Sequence, residues 1–146
     1  MATDDAEANN LASSTHGLNG GTLPTTWAYA DDIWVQNYAI IRKSNSFMEK
    51  IDAVPGDENV KKRMKAEAQF LRAFAYAELV KCFGGVPLML TAGTPEEAII
   101  PRNSYDECVA QIIKDCDEAA ANLPVVMPVS DLGRATKVAA LAPVGD

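Results

Sequence analysis

Residues 66–88 read AEAQFLRAFAYAELVKCFGGVPL, and the rest of the chain is arranged around them. Met64, Ala68, Leu71, Phe74, Ala75, Leu79 and Cys82 fall at the three-and-four spacing of one helical face, and Ala66, Phe70, Ala73, Ala77 and Val80 line a second. Charge between Ala66 and Val80 is confined to Glu67, Arg72 and Glu78. Only a narrow strip is therefore expected to meet water, and most of the circumference must be covered by other elements. The alanines bring helix propensity and let neighbouring helices come close. Gly84 and Gly85 then free the backbone, and Pro87 lacks the amide proton that a continuing helix needs. A helix covered on both sides and ended by a hard turn suits an inner helix of a stack, so the expected fold is all-α, an incomplete superhelix of tetratricopeptide-like hairpins.

Working outward toward the N-terminus, a first long helix is expected from about Thr26 to Ile51. Trp27, Ala30, Trp34, Tyr38, Ile41 and Met48 form one stripe, with Ile33, Ile40, Phe47 and Ile51 beside it and Asp32, Gln36, Lys43, Ser46 and Lys50 opposite. The tryptophans sit seven apart within an apolar stripe, a core pattern rather than a sugar platform. Asn37 and Asn45 fall on the buried side, where each amide needs partners, expected among backbone groups of the facing segment. Pro55-Gly56-Asp57 makes a turn, and Asp57 is placed to cap the central helix, which yields an antiparallel hairpin.

After Pro87, the stretch 88–101 is an irregular connection longer than helices commonly use, a hint of an extended or functional role. Ser104 and Glu107 stand in capping-box register and open a third helix. Its apolar face is Tyr105, Cys108, Val109, Ile112, Cys116, Ala119, Ala120 and Leu123, and Pro124 closes it. Thr136 is placed to cap a fourth helix, but Pro143 leaves it little more than one turn. Stacked hairpins need about three neighbours to bury a continuous core, so exposed apolar surface is expected here. The organisation expected is a loop segment over 1–25, a helical domain over 26–142 and a tail over 143–146.

Composition narrows the function. A chain of 146 residues carries a net charge of −7, with a pI of about 4.7, and its one basic cluster, Lys61-Lys62-Arg63, reads as a solvated helix start. Nucleic-acid binding, which rests on basic patches, is excluded as an expectation. The single histidine, His16, lies far from the cysteines, so no zinc site is expected, and Cys108 and Cys116 read as core residues. No Gly-x-Ser-x-Gly elbow or phosphate loop is present. Asp31-Asp32 and Asp115-Asp117 read as solvated carboxylates rather than a glycosidase pair, which needs two groups across a cleft. Neither an enzyme nor a cofactor is expected. No basic start leads into an apolar run, and no apolar stretch approaches 18 residues.

The run Ala68, Leu71, Arg72, Ala73, Tyr76, Leu79 and then Phe83-Gly84-Gly85-Val86-Pro87-Leu88 resembles the signature helix and turn of the SusD/RagB family. Four further pieces resemble that family in the same order. They are Tyr38, Ile41, Asn45, Phe47 and Ile51; then Pro101-Arg102-Asn103-Ser104-Tyr105-Asp106-Glu107; then Ile112, Asp115, Ala119, Leu123 and Pro124; and last Gly133-Arg134-Ala135-Thr136-Lys137 with Ala139-Ala140. Together they cover roughly Trp27 to Leu141, and their order is more specific than any one piece.

The resemblance implies an outer-membrane lipoprotein at the cell surface that binds oligosaccharide beside a TonB-dependent, SusC-like transporter and performs no covalent chemistry. Full-length members begin with a lipoprotein signal and are much longer, so this chain is expected to be the N-terminal helical scaffold alone. The ending Ala142-Pro143-Val144-Gly145-Asp146 departs from the family pattern, as a truncation or frameshift would. In such proteins the segment before the first helix contributes to the glycan pocket, and Thr3-Asp4-Asp5 resembles a short acidic motif there. Asp4, Asp5, Asn9, Asn10 and His16 are the candidate glycan-binding residues, supplying hydroxyl partners. Residues 1–24 hold no aromatic for the C–H face of a pyranose, a departure from what a sugar site requires. The competing reading is a freestanding helical-repeat adaptor that grips a peptide or protein partner.

Overall fold

A computed structural model describes residues 28–93 and 100–142, and among these every regular element is helical. The chain divides into two compact units, Met1–Gln36 and Asn37–Asp146. The described part of the first is the opening of helix α1, Ala28–Lys50. The second holds the rest of α1, a 3-10 turn at Ile51–Ala53, helix α2 at Glu58–Phe83, helix α3 at Tyr105–Asn122, a 3-10 turn at Val129–Asp131 and helix α4 at Lys137–Leu141.

Four helix boundaries have a local chemical cause. Asp57 is extended, and its Oδ1 accepts from the amides of Asn59 at 2.7 Å and Val60 at 3.2 Å, satisfying donors that the first turn of α2 would leave orphaned. At the other end Gly84 takes φ +68°, a conformation costly for any side chain, while its amide still reaches Val80 O at 3.0 Å. Gly85 is required for a different reason. A Cβ there would lie 2.2 Å from the carbonyl oxygen of Asn103, so the chain entering α3 crosses directly over this residue. Helix α3 opens with the expected capping box: Ser104 Oγ accepts from Glu107 N at 3.2 Å, and the Glu107 carboxylate accepts from Ser104 N at 2.8 Å. Thr136 Oγ1 accepts from Ala139 N at 3.2 Å to start α4.

Side-chain pairings fix the topology. Tyr38 meets Tyr76 edge-on at 6.5 Å between ring centroids, Asn45 bonds Arg72, and Asp52 pairs with Lys65. As the number falls on α1 it rises on α2, so the two are antiparallel. Arg72 with Asp115 and Gln69 with Glu118 set α2 against α3 in the same sense. Small residues let these helices close up: Ala66 on α2, Ala119 and Ala120 on α3 and Ala140 on α4 form one buried cluster with Leu123, and Phe70 and Ala135 pack at its edge. Salt bridges from Arg63 to Asp131 and from Arg134 to Glu67 tie the segment between α3 and α4 down onto α2.

Three expectations about facing are corrected. Arg72, read as part of a wet strip, is buried at 8% exposure, and Asp115, read as solvated, is at 0%. They lie in register with buried neighbours, Arg72 with Ala68, Tyr76 and Leu79 and Asp115 with Cys108, Ile112 and Ala119, so the packed stripes carry them inside. Conversely Leu71 and Phe74, assigned to a covered face of the central helix, are 50% and 46% exposed, and Cys82 is exposed, because no described element lies over that side of α2. Tyr105, assigned to the apolar face of α3, is exposed in its first turn. Cys108 and Cys116 are buried as expected, and the expected exposed apolar surface is present.

Candidate functional site

The connection leaving α2 is where three helices converge. Asn45 on α1 donates from Nδ2 to the carbonyls of Met89 at 2.9 Å and Thr91 at 2.8 Å, which are the backbone partners its buried position called for. Tyr38 donates to Pro87 O at 2.8 Å. Tyr76 on α2 accepts from Met89 N at 2.7 Å and donates back to Met89 O at 3.0 Å. From the α3 side, Asn103 accepts from Leu88 N at 3.0 Å, and the Cys108 thiol both accepts from Val86 N and donates to Val86 O. The amide of Ala92 ends on Glu49 at 2.8 Å. Apart from the backbone bond that Asn103 N donates to Val86 O at 3.2 Å, residues 86–92 are therefore held by side chains in place of a sheet partner, which is where the polar backbone of this partly buried, non-helical strap finds bonds.

Arg72 is the centre of this clamp. Its Nε and Nη2 reach the two oxygens of Asp115 at 2.7 and 2.6 Å, and its Nη1 donates to Asn45 Oδ1 at 2.8 Å and toward Leu90 O at 3.4 Å. Asp115 also accepts from Gln111 Nε2 at 2.9 Å. The bidentate pair orients Arg72, Arg72 orients the Asn45 amide, and the Asn45 amide grips the strap. Burial pushes the Tyr76 hydroxyl up to about 12, against the opposing pull of its bond to Met89 and of Arg72. Burial first and Tyr76 second push the Tyr38 hydroxyl up as well. Both tyrosines thus stay protonated and able to donate. Burial, followed by Asp115 and Asp117, raises the Cys116 thiol to about 11, which keeps it neutral and inert.

Chemically, the clamp is a scaffold. The Asp115 carboxylate is committed to Arg72 and Gln111, while Asp117 is exposed, so the two do not face each other across a cleft. Among the described residues no group of three or more His, Cys, Asp or Glu side chains stands close enough to hold a metal, and no helix is long and apolar enough to cross a membrane. The candidate glycan-binding residues Asp4, Asp5, Asn9, Asn10 and His16 lie outside the described residues, as does Trp27.

A second feature is open to solvent. Three hollows open here: one of about 360 Å³ between α1 and α2, over Lys43, Phe47, Met64, Ala68 and Leu71; one of about 320 Å³ at the end of α1, over Phe47, Lys50, Ile51 and Val54; and one of about 330 Å³ between α2 and the segment entering α4, over Phe70, Leu71, Ala135 and Ala139. The Arg134–Glu67 pair, with Nε to Oε1 at 3.0 Å, borders the third. Sequence reading missed the first hollow as a feature because it took Leu71 for core. The available signal was the shortfall of helices able to cover α2.

Comparison with known proteins gives the chain its place. The SusD-like family model described as "Starch-binding associating with outer membrane" matches residues 1–145. SusD-like protein P38 of Formosa agariphila is 37% identical over 95 residues, covering 64% of this chain and 18% of that protein. A solved SusD-like carbohydrate-binding protein of Bacteroides fragilis superposes with a TM-score of 0.84 at 32% identity, covering 93% of this chain and 27% of the other. A laminarin-binding SusD-like protein does so with a TM-score of 0.84 at 30% identity, covering 90% and 29%. The chain spans about a fifth of the length of the curated relatives it matches. The family model thus matches nearly the whole sequence, and the chain belongs to the SusD-like family.

Proposed function

We propose that this chain is the helical scaffold of a SusD-like protein that binds oligosaccharide at the outer face of the outer membrane and passes it to a TonB-dependent, SusC-like transporter, with no covalent step of its own. The observation that supports it most is the family match over residues 1–145, joined by a superposable relative that is described as laminarin-binding. The described residues fit a binder better than a catalyst. Their one buried carboxylate pair with arginine is spent on holding a strap, and the hollow over Phe47, Met64 and Leu71 is lined chiefly by apolar side chains. Asp4, Asp5, Asn9, Asn10 and His16 are proposed as polar contributors to the glycan pocket, with the aromatic platforms supplied from outside residues 1–24.

Calorimetric titration with a panel of polysaccharides, laminarin and starch among them, tests the division of labour. The 146-residue chain alone is expected to show no measurable affinity, because most of the pocket lies in the four-fifths of the family's length that it does not span. Micromolar binding of any one glycan to this chain would overturn that division. For the partner, the transporter reading predicts an adjacent gene for a TonB-dependent receptor and co-purification with its product. Absence of both would remove the transporter from the proposal.

A further inference from the structure

We propose that the loop joining α3 to α4 docks on the surface of a bilayer carrying anionic headgroups, with its outward aliphatic side chains entering the interface and Lys62 and Lys137 meeting the headgroups. This rests on the reading that the chain works at the outer membrane, and adds the surface that touches lipid and the lipid chemistry it selects. Val125, Val126, Val129 and Leu132 are 61%, 78%, 84% and 73% exposed, and the last three are the most exposed large apolar side chains among the described residues. A single exposed valine needs no explanation, but four such side chains within residues 125–132 make the kind of patch that marks a binding surface. The loop that presents them is firmly anchored. Leu123 and Met127 turn inward and are buried. Lys137 N donates to Pro124 O at 2.9 Å, Asp131 N to Pro128 O at 2.9 Å and Arg134 N to Asp131 O at 3.2 Å. Arg63 on α2 holds the Asp131 carboxylate at 2.7 Å. The inward anchors keep the other side chains out, so covering them sacrifices little loop entropy.

The composition of the loop favours lipid over a protein partner. Residues 119–142 contain no aromatic, and their one arginine, Arg134, is committed to Glu67. Protein interfaces are anchored chiefly by Trp, Tyr and Arg, with Val and Leu under-represented. None of the three hollows includes Val125, Val126, Val129 or Leu132, so none of them would receive an anchor from a partner beside these side chains. A bilayer needs neither pocket nor hydrogen-bonding partner, because mobile acyl chains conform to protruding aliphatic groups. Charge then selects the headgroup. The chain carries −7, yet residues 119–142 hold one acid, Asp131, against Arg134 and Lys137, and Asp131 is already matched by Arg63. Lys62 is exposed next to Arg63, and Lys137 is exposed at the base of the loop, where its amide meets Pro124. Neither lysine stands in an ion pair among the described residues, and the acids nearest in the fold, Glu58 and Glu67, are paired with Lys61 and Arg134. An aliphatic tip between uncompensated cations is the pattern of an interfacial anchor for anionic lipid.

The test is flotation of the 146-residue chain with vesicles of phosphatidylcholine, alone or with about a quarter of the lipid replaced by phosphatidylglycerol. The bound fraction should be about tenfold higher on the anionic vesicles at low salt, and the advantage should shrink as salt rises. Val126→Ser combined with Val129→Ser should lower it about tenfold with helix content unchanged, since both side chains already face solvent. Lys62→Gln combined with Lys137→Gln should erase the preference for the anionic vesicles. Leu71→Ser, on the exposed side of α2, should leave binding as it was. In a second measurement, an environment-sensitive dye on Val129→Cys, made on a Cys82→Ser background, should shift to the blue on the anionic vesicles, while the same dye on Asp117→Cys does not. The proposal is overturned by no flotation, by equal capture on both vesicles, by binding that survives the double valine variant, or by an unshifted dye at Val129→Cys. Loss of binding in Leu71→Ser also overturns it and assigns the adhesion to α2. Neither measurement reads glycan affinity or co-purification with a transporter, so the failure of this docking surface and the failure of the SusD-like reading are told apart.

Discussion

Removing the Asp115 carboxylate should be among the most damaging single changes available. In Asp115→Ala the Arg72 guanidinium, in a residue only 8% exposed, keeps Asn45 Oδ1 and a long contact to Leu90 O but loses both carboxylate bonds. Breaking a buried pair from one side costs about 3–5 kcal/mol because the remaining charge is neither solvated nor compensated. Against a total stability of about 5–15 kcal/mol for an ordinary domain, that leaves the fold marginal. A buried pair is not itself proof of stabilisation, and the double variant shows the difference. Arg72→Met with Asp115→Leu removes both charges at similar volume, leaving chiefly Asn45 Oδ1 without its donor, a loss of about 1–3 kcal/mol.

The double should therefore be more stable than Asp115→Ala, and urea unfolding followed by helical circular dichroism measures both. A contrast sits on the surface. Glu67→Ala breaks the Arg134 pair, whose arginine side chain is 37% exposed, and should cost no more than about 1 kcal/mol. The reasoning is refuted if Asp115→Ala costs no more than Glu67→Ala, or if the double variant loses the sum of its two single losses.

Other consequences can be read with simple assays. Gly85→Ala drives a Cβ into Asn103 O and should cost about 3 kcal/mol, whereas Gly56→Ala, whose nearest neighbour is the flexible end of Lys61 at 4.0 Å, should fall within about 0.5 kcal/mol of the parent in the same unfolding experiment. A thiol reagent added to the native chain should modify Cys82 quickly and reach Cys108 and Cys116 only on unfolding, giving one fast and two slow thiols. At high pH, Tyr76 binds its proton more tightly folded than unfolded, so its contribution is complete below the ordinary value of 10 and is lost as pH rises toward about 12. Tyrosinate absorbance and helix loss should then develop together in that window, and a tyrosinate signal fully developed by about pH 11 with the helices intact would contradict the buried placement. At low pH, the bonds from the Ser104 amide, the Ser104 hydroxyl and Asn103 hold the Glu107 carboxyl below its ordinary 4.5, so the capping box contributes above that value and fades as pH falls through the lowered one. The stability gap between the parent and Glu107→Gln should narrow on acidification.

The features legible in the sequence were those whose cause is local. Asp57, Ser104 with Glu107, Thr136 and the Gly84-Gly85 stop act through bonds or dihedral preferences within a few residues, and each behaves as its spacing implied. The Asn45 partners were inferable too, since an amide on a buried stripe must bond something and the facing segment was the only backbone at hand. What escaped was set by neighbours. Periodicity treats any charged residue as outward, so Arg72 and Asp115 were sorted by polarity, although each stands in step with a buried stripe, and only the pairing of two helices 43 residues apart reveals that they neutralise one another. Leu71 failed in the opposite direction, because an apolar side chain on an Ala-rich helix says that a cover is wanted and not which element provides it.

These two misreadings share a physical source, and it bears on how the scaffold works. Arg72, the charged residue of α2 that turns inward, serves the strap at 86–92, while Leu71 and Phe74 turn outward and stand half-exposed. Helix α2 thus does not divide its surface by polarity alone: one side fixes a non-helical segment through a chain of three side chains, and the other exposes Leu71 and Phe74. A segment fixed in this way is rigid at its anchored end, because shifting it breaks the Asn45, Tyr38 and Tyr76 bonds together. Weakening the clamp should consequently loosen the strap before it melts the helices. Hydrogen exchange at Leu88 and Met89 should accelerate in Asn45→Ala under conditions where the α3 amides remain protected, and equal acceleration in both would mean that the strap and the helices unfold as one unit.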